Sequence, residues 1–422
     1  MASSSGKRFY GWWVLVGAIL VYFSGCGCCF YSFGVFLPVV CADTGMSITA
    51  FSVALSIFAL AMGFVAPLVG ISIGKYGARK NIIIGNLVSA LGLAALYLVT
   101  GPWQLYLFFG VIVGLGQGFG MFIATTTLAN NWFIRRRALA MALVVTAGAI
   151  GGFAGPIMAG VLIPSLGWKL TWVTLGGILL VLSVIVGGLI IRNRPEDIGQ
   201  LPDGVDAVAV PESSIAHQSR VYQTPFDWKT RDALRTPAIW MIVVVFIAHM
   251  FALNTVVAHL VSYLEKDVGI SPMIAATAMG LIPGVSIIGR LGFGFLAMRF
   301  ETRHLVAVFL AGLVVAMLIL MNFVSVIMIY LYAVIFGICY GAIIPSLPNF
   351  VGAYYGRANY AQIVGSIMPI TTLFGAAAPI LAGVIRDHTG SYMPAFIVVV
   401  ALLAIGVVLA FLARPPKPQI HY

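Results

Sequence analysis

Charge is what this sequence lacks. Only 8% of its 422 residues are charged, and Asp and Glu together number twelve, whereas soluble domains carry about 25% charged residues. A chain that is 61% hydrophobic is too apolar for a soluble protein. Apolar runs of about 20 residues or more recur along nearly its whole length, enough to cross a bilayer as helix. Chemistry-bearing clusters are missing as well. There is no P-loop, no His-rich cluster and no carboxylate pair, so the chain does not read as an enzyme. Among five cysteines, Cys26 and Cys29 stand three apart, a spacing soft-metal ligands use. No His or carboxylate is near them in sequence, and packing of small residues between helices explains them better. No metal and no cofactor is expected. No cleavable signal is read at the start either. Lys7, Arg8 and an aromatic belt (Phe9, Tyr10, Trp12, Trp13) lead straight into apolar sequence.

What is present is a series of spans. Twelve helices are expected, over 11–40, 50–73, 81–100, 103–131, 138–163, 168–191, 237–264, 271–298, 304–324, 326–355, 359–385 and 391–413. The first is longer than a membrane needs and should tilt or bend. The 23 basic residues set the orientation. With the N-terminus in the cytoplasm, all but four lie on inner segments. Lys169, Lys266 and Arg386 lie outside, and Arg290 lies within a span. This positive-inside asymmetry accounts for the net charge of +11 without nucleic acid. The expected setting is an inner, cytoplasmic membrane of bacterial type, with both termini inside. The lipid bilayer and a small solute are the expected partners, and no obligatory protein partner is evident.

The longest polar stretch, 192–236, divides the chain into an N-terminal six-helix half (1–191) and a C-terminal one (237–422). It is rich in Pro, Asp and Ser and reads as a cytoplasmic tether, with a short amphipathic helix near "FDWKTRDAL". The halves repeat. "GISIGKYGARK" (70–80) is matched by "GFLAMRFETRH" (294–304), "WFIRRRALAMA" (132–142) by "YYGRANYAQIV" (354–364), and "AGPIMAG" (154–160) by "AAPILAG" (377–383). The three offsets agree to within two residues. Parallel repeats of this kind pack around a central path.

With these landmarks the sequence resembles the major facilitator superfamily over essentially its full length. The resemblance implies two pseudo-symmetric six-helix halves around a substrate path. That family's gating-loop signature stands here as Gly70, Lys75, Gly77, Arg79 and Lys80. Its carboxylate position is Gly74 in the first copy and Met298 in the second, so the usual acid of this cluster is absent from both. "RFYGWWVL", "NNWFIRRRALAMA" and an arginine on the eighth span resemble the monocarboxylate transporter branch, with the oxalate–formate exchangers close by.

Arg290, in "GVSIIGRLGFG", carries the functional reading. Nine residues separate it from Arg299 at the cytoplasmic end of its helix, or about 13 Å of a roughly 30 Å core. No Asp or Glu lies at that depth. An unpaired intramembrane cation marks a functional site, and a guanidinium suits a bidentate carboxylate. A structural arginine capping helix carbonyls is the alternative. The resemblance agrees with a substrate role, since the eighth-span arginine binds substrate in that branch. Two departures narrow the cargo. The eleventh span has no Lys, unlike oxalate exchangers, and Tyr31 or a neighbour stands where animal monocarboxylate transporters have a first-span Lys. One central charge fits one carboxylate.

Other candidate substrate contacts are Gln117 and Phe119 on the fourth span and Ile344 on the tenth. Tyr340 aligns with a pocket aromatic in the resembled branch. Cys28, Tyr31, Val145 and Met368 could supply an apolar wall. Gln117 could instead bond a neighbouring helix. For proton coupling the branch has an Asp one turn before the arginine, and here that position is Ser286. Histidine is the residue type suited to carry a proton near neutrality, which makes His249 and His259 on the seventh span the candidates; each could equally be a neutral hydrogen-bonding His, and the cargo could carry the proton itself. The expected activity is secondary transport of small monocarboxylates such as lactate or pyruvate with a proton. Organic-anion exchange and a transport-inactive anion sensor are the alternatives.

Overall fold

The computed structural model describes residues 9–204, 221–322 and 325–416. Lys7, Arg8, Arg220 and Lys417, used above for orientation, lie outside the described residues, as does the middle of the linker. Ten described helices are long and apolar enough to cross a membrane, and a pair bent by 47°, Ala50–Phe64 with Ala66–Tyr76, makes an eleventh. The longest, Arg137–Ile190, turns at Gly167 with φ 77° and ψ 161°, a conformation open to glycine. Divided at Gly167 it makes two spans, the fifth and sixth, which brings the spans among the described residues to twelve. The others are Gly11–Thr44, Ala78–Leu98, Pro102–Trp132, Pro237–Lys266, Pro272–Leu296, Thr302–Asn322, Val326–Tyr355, Tyr360–Thr389 and Met393–Leu412. Local chemistry sets many of the ends. Ser47 and Ser325 cap their helices by accepting from Ala50 N–H (3.1 Å) and Met328 N–H (3.3 Å). Pro102, Pro237 and Pro272 open theirs.

The first span bends as its length suggests, for a specific reason. It runs as α-helix over Gly11–Ser24, widens to π-helix over Gly25–Tyr31 ("GCGCCFY"), and resumes as α-helix over Phe33–Thr44. The widened turn lies where backbones nearly touch. A Cβ on Gly27 would stand 2.9 Å from the Gly151 carbonyl oxygen of the fifth span. Two further π-helical stretches, Tyr106–Val113 and Leu180–Val186, also belong to the first six spans. Such turns shift the register of side chains and recur at functional sites. On the fourth span, Gly110, Gly114 and Gly118 form a stripe against Ile57, Phe58 and Val65 of the second.

The buried side chains form two clusters. One holds residues of both chain halves, from Val14 and Trp132 to Tyr354 and Tyr360. The other belongs to the first six spans alone and lies toward the face opposite the basic loops, around Phe33, Phe36, Phe51, Phe109 and Trp172. Its rings stack closely, with Phe36 and Trp172 at 3.7 Å. The two halves therefore share a core on the basic face and not on the other. Glycines draw the seam tight there. A Cβ on Gly70 would lie 2.6 Å from the Ala361 carbonyl oxygen, and Gly365 abuts the Ala66 carbonyl.

The described parts of the linker strap this face. Asp203 accepts from Ile134 N–H and Arg135 N–H (2.9 and 2.8 Å). Thr224 N–H and Trp228 N–H donate to the carbonyls of Ala353 and Tyr355 (2.8 and 3.0 Å). Because residues 224–228 spend backbone donors on the neighbouring segment, the expected amphipathic helix shrinks to one turn, Thr230–Ala233.

Candidate functional site

Arg290 is 5% exposed and reaches across the seam. Gly289 packs against the Ile338 carbonyl, which fixes the eighth span on the tenth and turns the next residue toward the first six spans. Its Nη1 donates to the backbone carbonyl of Val145 on the fifth span at 2.6 Å. Its Nη2 makes a long contact, 3.4 Å, with the Tyr340 hydroxyl. Its Nε has no hydrogen-bond partner, and Arg290 enters no ion pair among the described residues. The side edge of the guanidinium, Nε with Nη2, is thus nearly unused. That edge is the geometry a carboxylate fits with two parallel charge-assisted bonds.

Tyr340 is itself held in place. His249, fully buried, lies parallel to the Tyr340 ring at 5.7 Å with 15° between planes. Its Nε2 is 3.3 Å from the Tyr340 carbonyl oxygen, which can only accept, so Nε2 carries the proton and Nδ1 is the bare nitrogen. Nδ1 has no partner. The chain His249, Tyr340, Arg290 therefore links the seventh, tenth and eighth spans. Tyr22, Cys26 and Tyr31 of the first span lie within electrostatic reach of Arg290. Tyr22 and Cys26 pack on Gly148, one turn from Val145. Tyr31, at the end of the π-helical turn, is 39% exposed and lies over Gly152.

The remaining sequence candidates divide. Val145 meets Arg290 through its carbonyl rather than as apolar wall, because its side chain is in the core. Cys28 lies in the cluster around Phe33, away from the seam. Cys26, two residues earlier, takes its place beside Arg290 because the widened turn shifts the register. Gln117 is fully buried and bonds the third span, donating to Asn86 Oδ1 (3.2 Å) and Ser89 Oγ (3.0 Å). Phe119, Ile344 and Met368 are partly buried against the shared core. Ser286 Oγ turns back to the Pro283 carbonyl at 2.7 Å, and His259 bonds the Pro379 carbonyl at 2.9 Å near the far end of its span; neither side chain hydrogen-bonds Arg290. In the gating loop, Gly77 takes φ 83°, Arg79 binds Asn193 Oδ1 through its N–H and the Gly188 carbonyl through Nε, Lys75 lies over the Tyr76 ring at 5.1 Å, and Lys80 is exposed. Sequence reasoning missed Tyr22 and Cys26, although polar side chains four apart in an apolar span were a usable sign.

These geometries stand beside three comparisons. A sequence model of the Major Facilitator Superfamily matches residues 14–379 and 293–421. Monocarboxylate transporter 12 of Xenopus laevis is 26% identical over 345 residues, covering 79% of this chain and 73% of that protein. Monocarboxylate transporter 13 of Rattus norvegicus is 27% identical over 387 residues, covering 89% and 82%. These relatives are vertebrate and lend no support to the expected bacterial setting. Among solved structures, the transporter FucP in its outward conformation aligns with TM-score 0.71 at 16% identity, covering 95% of this chain and 98% of that one. The human organic anion transporter MFSD10 aligns with TM-score 0.70 at 16%, covering 96% and 99%. At such identity these two speak for the fold alone.

The bonds of Gln117 lead to a prediction. Gln117→Ala strips donors from Asn86 and Ser89 in a buried site, a loss of about 1–3 kcal/mol. Its thermal midpoint in detergent should fall while anion affinity at Arg290 stays unchanged. A stable Gln117→Ala with weakened anion binding would contradict the structural assignment.

Proposed function

The chain belongs to the Major Facilitator Superfamily, and on that footing we propose that it is a secondary transporter of small monocarboxylates of the lactate and pyruvate kind. Arg290 is the anchor for the carboxylate. The observation that carries the reading is the buried guanidinium whose Nε–Nη2 edge has no acidic partner among the described residues. A cation held at mid-depth without a counter-charge is costly, and an anionic cargo relieves the cost each time it binds. Tyr340, braced by His249, stands where its hydroxyl can add a donor to the same carboxylate. Tyr31, Cys26 and Phe119 are suited to line the small apolar remainder of such a cargo.

Transport follows by alternating access of the two halves, with the basic face toward the cytoplasm. The shared core on that face and the separate core opposite it describe a protein closed inward. Because Arg290 crosses the seam to Val145, the anchor itself joins both halves, which suits a site that must close from either side.

Coupling to a proton is the finer part of the proposal. His249 is the leading carrier, since its Nδ1 is free of any partner, and the cargo itself is the next. Exchange of one organic anion for another is the second reading. It is favoured by the lack of any carboxylate paired with Arg290, since exchange needs no protonatable side chain. His249→Gln separates the two. If His249 carries the proton, the variant should lose acid-driven accumulation in proteoliposomes and keep counterflow of labelled lactate. Unchanged uphill uptake would remove His249 from the mechanism.

Arg290→Ala should lose most lactate binding. Removing one partner of a desolvated charge pair costs about 2–5 kcal/mol, roughly 30- to several-thousand-fold in affinity. Arg290→Lys should also bind poorly, because an ammonium lacks the planar fork. The fold should survive, since the Val145 carbonyl lies within a helix and no carboxylate is orphaned. The measurement is lactate affinity and thermal midpoint in the same detergent. A folded Arg290→Ala that binds monocarboxylates normally would refute the anchor, and a variant that fails to fold would mark a structural arginine.

A further inference from the structure

We propose that a second anion site, for a phosphate group, lies in the seam on the basic face and shares no lining residue with the Arg290 site; its uptake readout rests on the proposed transport function, and its thermal readout does not. A cavity of about 370 Å³ opens there between the turn joining the second and third spans, the end of the sixth and the start of the eleventh. Three cations line it, Lys75, Arg194 and Arg357, against one carboxylate, Asp197. Arg357 is bridged to Glu196 at 3.1 Å, so the site rests on the other two. The Lys75 ammonium meets the face of the Tyr76 ring. Arg194 uses its backbone N–H on Asp197 (3.1 Å), and its guanidinium makes no hydrogen bond among the described residues.

The imbalance has a cause in the sequence. The signature position that would carry a carboxylate in this turn is Gly74. A Cβ there would meet only the amide of Gln362, 2.8 Å from its nitrogen. In this turn the cations therefore stand without an acid at position 74, and Gly74 itself lines the cavity. The same cavity takes in Ala78, the first residue of the 18-residue helix Ala78–Ala95, so the positive end of that helix adds to the field. A phosphate group supplies the oxygen acceptors and negative charge that a second-span carboxylate would have given.

The consequence is regulatory. Lys75 comes from the N-terminal half, Arg194 from the start of the linker, which Asn193 ties to that half through Arg79 N–H, and Gln362 from the C-terminal half, so the donor set is complete only while the seam is closed. A ligand that binds one conformer stabilises it. Phosphate bound here holds the basic face shut and slows turnover without touching Arg290. The group arrives either free, on a small phosphorylated solute, or on an anionic lipid headgroup at the membrane surface.

The test uses the full chain. Thermal midpoint is measured in detergent with inorganic phosphate against chloride at equal ionic strength. Lactate uptake is measured in phosphatidylcholine vesicles with and without phosphatidic acid. The site predicts a raised midpoint and slowed uptake, with the apparent affinity for phosphate at least about tenfold weaker in Lys75→Gln/Arg194→Gln, as for the loss of charge-assisted bonds. Phosphate acting alone assigns the free solute, and phosphatidic acid acting alone assigns the lipid; both support the site. No response to either overturns it. An equal response in the double variant overturns it as an adventitious ion only. A midpoint shift with phosphate that vanishes in Arg290→Ala overturns it too, because the phosphate would then be acting at the cargo anchor.

Discussion

One constraint organises this protein: a guanidinium buried in the seam between two six-helix halves, with no acidic partner among the described residues. Water cannot reach such a charge freely, and a bilayer offers it nothing. The chain gives it two neutral acceptors, the Val145 carbonyl at 2.6 Å and, at the longer 3.4 Å, the Tyr340 hydroxyl, and leaves Nε, on the side edge, without a partner. On the proposed reading an anionic cargo supplies the third acceptor. Much of the surrounding architecture follows from keeping that edge in place. The tenth span holds the eighth through Gly289 at Ile338, Gly337 at Ile282 and Gly341 at Ser286, and His249 fixes the Tyr340 ring from behind.

The first six spans meet this fixed group with a more deformable structure. All three π-helical turns among the described residues fall there. The first of them, Gly25–Tyr31, brings Cys26 and Tyr31 to the site, and small residues let it lie against Gly151 and Gly155 of the fifth span. Widened turns have looser hydrogen bonding than α-helix, so register changes around a cargo are least costly on this side. On the basic face the opposite holds. Glycine contacts, the linker strap and a common apolar core make a tight closure whose opening must break many contacts at once. A small event at mid-depth can be read out there only because packed interfaces switch between discrete arrangements rather than stretching.

How much of this was legible in the sequence depends on the kind of information each part needs. The spans were legible because hydrophobic length is a one-dimensional property. The expected 237–264 and 326–355 answer to Pro237–Lys266 and Val326–Tyr355. Arg290 was legible because a charge in an apolar run stands out without coordinates. The first span's face was not. Cys28 was named as part of an apolar wall, and the π-helical turn instead brings Cys26 within electrostatic reach of the arginine. Val145 was chosen for its side chain, yet acts through its carbonyl, which no residue type encodes. Gln117 stood near the right depth, but only the third span's Asn86 and Ser89 decide where its amide points. The linker helix was overread because "FDWKTRDAL" carries helical spacing while its neighbours in space, Ala353 and Tyr355, claim the backbone donors first.

The most direct test of the anchor is an experimental structure of the full chain with lactate bound. The account predicts the lactate carboxylate on the Nε–Nη2 edge of Arg290, both oxygens within hydrogen-bond distance, with the Tyr340 hydroxyl turned toward it. Lactate bound elsewhere, with Arg290 still resting on the Val145 carbonyl and its Nε bare, would contradict it.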